Sequence, residues 1–192
     1  MVNKTKKLDL CGVVPLLFVF FLCMGCDKGR EVRKYKKKES PQTASGKVIF
    51  QWDTPRGWTG NRSATGMRLA SFSVNNGDRK SLCTIIPLKG AAGGIRANII
   101  RWLGQIDANI ATESKEVETF IDSGEAFRTR GNFPAVFYDF TGLTGSPGDQ
   151  SILVTIISFR DSSIFIKMTG EKAHLLENRK KFKSLSQSFR LK

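Results

Sequence analysis

The sequence predicts an α+β fold, an antiparallel sheet flanked by helices, and three observations carry that prediction. Short runs with period-two apolar alternation recur between residues 48 and 170. A helical stripe interrupts them at residues 95–106, and a basic amphipathic stretch closes the chain at 171–185. Strands interrupted by one well-formed helix and closed by another suit an antiparallel sheet better than the regular alternation of a parallel one.

In VIFQW, Val48, Phe50 and Trp52 share one face at period two, as in a half-buried strand. WDTPRGWTGNRSATG follows, and its proline, glycines and small polar residues read as a long turn-rich connection. Strands are expected at 68–74 and 80–88, joined through NNGD with Asn76-Gly77 as the turn, because both residue types tolerate positive φ. After the GAAGG loop, residues 90–94, Ile95, Ile99, Trp102 and Ile106 recur at helical spacing, and Ile100 and Leu103 widen the stripe. A shorter helix is expected at 114–121, with Ser114 as its cap and Glu116 and Glu118 in its first turn. Further strands are expected at 125–131, 135–142, 151–161 and 162–170, the last two turning at Asp161-Ser162-Ser163. The terminal helix should bury Leu175, Leu176, Phe182 and Leu185, leaving SFRLK as a tail or a short edge strand.

The chain divides into three parts: 1–25, 26–46 and a single domain, 47–192. Lys4, Lys6 and Lys7 precede the apolar run Leu10–Leu22, the layout of an export signal, and the run is too short to span a bilayer. Gly25 before Cys26 resembles the lipobox of bacterial lipoproteins, in which the cysteine becomes the new, acylated N-terminus; Cys23 stands where that pattern usually has leucine. The thiolate is a good nucleophile for the thioether, and two or three acyl chains of the palmitate kind anchor a protein where one does not. Cys11 and Cys23 would leave with the signal, so only Cys83 would remain as a free thiol, and its apolar surroundings read as core. Residues 27–46 hold almost no bulky apolar side chains and read as a disordered tether. Their cluster RKYKKK, 33–38, suits either contact with anionic headgroups or a solvated spacer. Half of the formal net charge of +14 falls before Val48, so a basic pI is a poor argument for nucleic acid.

Five segments carry a family resemblance: WDTPRGW at Trp52–Trp58, MRLASF at Met67–Phe72, GGIRANIIRWLGQ at Gly93–Gln105, IFIKMTG at Ile164–Gly170 and KFKSLSQSF at Lys181–Phe189. In order and spacing they resemble a group of bacterial envelope proteins that share W-x-x-P-x-G-W, M-R-x-A-x-F, G-G-x-x-x-N-x-x-R-W-x-x-Q and K-x-x-G and have no known activity. More distantly the layout is similar to the PsbP-like fold, an antiparallel sheet sandwiched between helices. That resemblance implies a binding or scaffolding module.

Catalytic chemistry finds few candidates. His174 is the only histidine and lies among leucines, so no histidine-based metal cluster can form and the expected reading is a satisfied helix residue. GAAGG could offer backbone N–H groups to an anion but lacks the Gly-Lys-Ser/Thr ending of a phosphate loop, and no cofactor fingerprint is present. Asn98, Arg101 and Gln105 make one polar edge at i, i+3 and i+7 of the first helix. Arg101 there would bind a carboxylate or phosphate, with Asn98 and Gln105 orienting it; otherwise the three brace the Trp52–Trp58 loop or form a plain solvated edge. The sequence thus predicts a protein lipid-anchored at Cys26 to a bacterial cell membrane, facing the periplasm or exterior, and acting as a non-catalytic binding or structural module. Its partners would be the membrane and an envelope protein or small ligand. The alternatives are a ligand-binding or catalytic domain using the Asn98/Arg101/Gln105 edge, and binding of anionic polymer through basic surface. Core-facing aromatics argue against nucleic acid.

Overall fold

A computed structural model describes residues 50–61, 67–90, 92–108, 110–111 and 113–192. The expected signal peptide, Cys26, the tether and Val48 lie outside them. The architecture is α+β, with a seven-stranded sheet in the order β2-β3-β4-β8-β7-β6-β5 and every neighbouring pair antiparallel. The strands are β2 (Trp58–Asn61), β3 (Ala70–Asn76), β4 (Arg79–Lys89), β5 (Glu125–Arg128), β6 (Pro134–Asp139), β7 (Gln150–Ser158) and β8 (Ser162–Glu171). Helices α1 (Gly94–Leu103) and α2 (Lys115–Asp122) lie on one face of this sheet, and α3 (Lys172–Gln187) on the other. A two-residue strand, β1 (Phe50–Gln51), pairs with β9 (Arg190–Leu191) in a separate ribbon.

Period-two alternation in the central strands sorts two cores. Ile164, Ile166 and Met168 of β8, with Leu153 and Ile157 of β7, face α3 and meet Leu175, Phe182 and Leu185. Phe165, with Val154 and Ile156 of β7, faces the other way and meets Ile99, Trp102 and Leu103 of α1 and Val117 of α2. Each such large side chain, once fully buried, contributes about 1.5–3 kcal/mol relative to exposure. Trp102 locks the second core through edge-on contacts with Phe165 and Phe140, ring centroids 5.5 and 6.0 Å apart. Cys83 is fully buried in the first core, as expected, and burial pushes its thiol above the ordinary value.

Several boundaries differ from expectation for local reasons. The hairpin pairs Asn76 with Arg79, so its loop is Gly77-Asp78, one residue later than predicted; only Gly77 has positive φ, +60°, as a type II′ turn requires. Part of the expected connection after Trp52 is the edge strand β2, where Gly60 sits under the Phe72 ring. A Cβ at Gly60 would lie 2.1 Å from that ring, so only glycine fits. Helix α1 stops at Leu103, Gly104 takes the cap position in the right-handed region, and in the turns beyond it Asp107 has a positive φ of 49°. Ile106 is therefore buried from a turn rather than a helix, and Ile95 is exposed. Strand β6 ends at Asp139, whose carboxylate accepts from the N–H and hydroxyl of Thr141 and starts a 3-10 turn at Phe140–Leu143. Strand β5 ends at Arg128, and the β7–β8 turn falls before Ser162, which pairs with Lys89. Ser114 occupies the cap position of α2 without a side-chain cap bond. On α3, Leu176 is exposed, while His174, Asn178 and Ser186 take buried positions beside Leu175, Phe182 and Leu185.

The segment after β1 is tied down by charge. Asp53 accepts from Arg130 at 2.7 Å and Arg190 at 2.9 Å, and its N–H donates to Ser188 Oγ at 2.8 Å. The hydrogen bond from Arg190, and with it Arg130, holds the Asp53 carboxyl below the usual carboxylate range against the opposing effect of desolvation.

Candidate functional site

The expected polar edge of α1 splits into an inner and an outer part. Asn98 is 1% exposed and points into the loop before its own helix. Its Nδ2 donates to the carbonyls of Ala92 at 2.8 Å and Gly94 at 2.7 Å, and its Oδ1 accepts from Arg101 Nη1 at 2.8 Å. Those bonds secure backbone that sits in the left-handed region at Ala92, Gly93 and Gly94, with φ of 51°, 87° and 82°. Asn98 is thus occupied internally, and the loop it braces is GAAGG.

Arg101 is exposed in the last turn of α1, where a cation complements the helix dipole. It does not brace the Trp52–Trp58 loop, which belongs to the core under α3, on the opposite side of the sheet. That loop is held instead by Asn178 Oδ1, which accepts from Trp58 Nε1 at 3.3 Å, and by the Asp53 cluster. Gln105 lies in the turns after α1, and its Oε1 accepts from Lys167 Nζ.

Lys167 is the residue that sequence reasoning did not single out as a ligand contact. It stands on β8 between Thr84 of β4 and Val154 of β7, two residues from Phe165, and shares the sheet face on which α1 packs. Its one available signal was its place in KMTG. Burial, and then the nearby charge of Arg101, hold its ammonium below the ordinary lysine value. Among the described residues, Arg101 and Lys167 have no carboxylate partner; their acceptors are the amide oxygens of Asn98 and Gln105. Two cations held together in this way can offer several N–H donors to one carboxylate or phosphate.

Beyond the C-terminal end of α1 the sheet face carries small polar side chains. A shallow trough of about 520 Å³ runs over it, lined by Ser73, Asn75, Lys80, Leu82, Gln150 and Thr169. Thr169 follows Lys167 on the same face of β8, so Lys167 stands one strand position-pair from the trough without lining it.

No family profile matches the sequence, and no curated protein does. Among solved structures, the fold is similar to cyanobacterial PsbP (CyanoP) from Synechocystis sp. PCC 6803, with a TM-score of 0.40 and 14% identity over 76% of this chain and 92% of that one. It is similar to the same degree to a protein from Bacteroides thetaiotaomicron VPI-5482, with a TM-score of 0.40 and 14% identity over 74% of this chain. This chain spans 45% of that protein's length.

Proposed function

We propose that this protein is a membrane-tethered binding module without catalysis of its own, docking an anionic group of an envelope partner or small ligand on Arg101 and Lys167. The observation that carries this reading is that Arg101 and Lys167 stand near enough for the charge of one to weigh on the other, with amide oxygens as their only acceptors among the described residues. Holding two like charges together costs free energy, and an anion between them would offset that cost. The neighbouring trough gives the rest of a ligand a polar surface on which to lie. The tether is assigned to Cys26 and the basic segment after it on the order of signal, cysteine and charge in the sequence. Such an anchor would place the domain at a bacterial membrane, on its periplasmic or exterior side.

The test is thermal unfolding of the full chain in detergent with inorganic phosphate as the probe. Stabilisation of the wild type that disappears in both Arg101→Ala and Lys167→Met supports the reading. Stabilisation that survives in both variants, or none in the wild type, overturns it.

A further inference from the structure

A second pocket, of about 340 Å³, lies on the other side of the sheet, between the Gly57-Trp58 turn, the end of β3 and the first half of α3. His174 lines it and is fully buried. Its Nδ1 is within 2.8 Å of Ser81 Oγ, while Nε2 has no hydrogen-bond partner among the described residues. The Ser81 contact is built into the sheet: a Cβ on Gly170 would fall 2.1 Å from that hydroxyl, so glycine keeps the space open for it. A buried ring nitrogen without a partner bears the full cost of its desolvation, and such groups call for an explanation.

The other polar groups of the pocket are already engaged. Trp58 Nε1 donates to Asn178, and Asn178 Nδ2 donates to the His174 carbonyl at 3.0 Å. The Glu177 carboxylate accepts from Arg79 at 2.6 Å and Asn76 at 3.2 Å. Apart from the exposed amide of Asn75, two groups are left, His174 Nε2, itself buried, and the ammonium of Lys181, which has no ion pair among the described residues. Lys181 stands two turns after His174, and helical side chains lean toward the N-terminus, so its long stem reaches back over the pocket. When the Ser81 hydroxyl donates to Nδ1, the neutral imidazole carries its hydrogen on Nε2 and becomes a donor.

We propose that this pocket binds a small carboxylate, which accepts from His174 Nε2–H with one oxygen and from Lys181 with the other. A neutral donor beside one cation matches a single carboxylate in charge and in hydrogen-bonding sense. The site is independent of Arg101 and Lys167, and neither reading depends on the other.

His174 is the only histidine of the chain, so its imidazole gives an unambiguous nitrogen NMR signal in the full chain in detergent. The ring should first show the Nε2–H tautomer. Acetate or succinate should then shift the Nε2 resonance in the wild type and in Arg101→Ala, with affinity weakened by about tenfold or more in Lys181→Ala. Lys181 is exposed, so that variant keeps the fold. An Nδ1–H tautomer, an unmoved Nε2 signal, an equal response to neutral acetamide, or undiminished affinity in Lys181→Ala would each overturn the proposal.

Discussion

Replacing Asn98 with alanine should cost far more stability than replacing its neighbour Arg101, although both belong to one polar edge. Asn98 donates two short hydrogen bonds to loop carbonyls and is almost wholly buried. Each is worth about 0.5–1.5 kcal/mol net, so their loss costs about 2 kcal/mol. Alanine's better helix propensity returns up to about 0.7 kcal/mol. Freed of its brace, the loop at Ala92–Gly94 must also be held in the left-handed region by the chain alone. The net loss is about 1.5–2.5 kcal/mol, which for a domain of this size lowers the melting temperature by about 3–10 °C. Arg101→Ala removes one bond from an exposed side chain, and water can replace it at Asn98 Oδ1, so the loss stays near 0.5 kcal/mol, or about 1–2 °C. Thermal unfolding of the two variants under one buffer gives the comparison. Equal losses, or a larger one for Arg101, would refute the division of this edge into a buried brace and an exposed contact.

Gly170→Ala should destabilise by about 1–3 kcal/mol, since its methyl must displace Ser81 from 2.1 Å in a packed interior; a denaturation midpoint equal to wild type would show that Ser81 gives way freely. Lys167 binds its proton less tightly folded than unfolded, so stability should rise with pH between its lowered value and 10.5, and this rise should be absent from Lys167→Met in paired denaturant titrations. If the variant shows the same rise, the proton belongs to another group. Cys26→Ala should abolish labelling by a fatty-acid probe and release the protein from the membrane fraction; undiminished labelling would remove the localisation argument.

The fold class was legible because the strongest signals are periodic and long. Strands β7 and β8 carry long, mostly apolar runs, and Ile99, Trp102 and Leu103 mark the buried side of α1. What was not legible depends on pairs distant in sequence. Strand β2 has only four residues and weak local propensity, and it exists because Gly60 accepts the ring of Phe72. Leu176 reads as core by its type, yet the space goes to His174, whose partner Ser81 lies 93 positions away. At the candidate site, Arg101 stood out as a charge beside an apolar stripe. Lys167 did not, because a lysine in a strand shows its consequence only once β8 is set against the end of α1.

The ribbon of β1 and β9 brings the first and last described strands side by side, with Phe50 opposite Leu191 and Asp53 clamped by Arg190. The order in which the chain visits its strands is therefore separable from the arrangement of the strands themselves. Joining the region near Phe50 to Leu191 by a short flexible linker and reopening the backbone at the exposed Gly77-Asp78 loop would produce a circular permutant. Every pairing of the large sheet would persist, and the new termini would emerge at the β3–β4 hairpin.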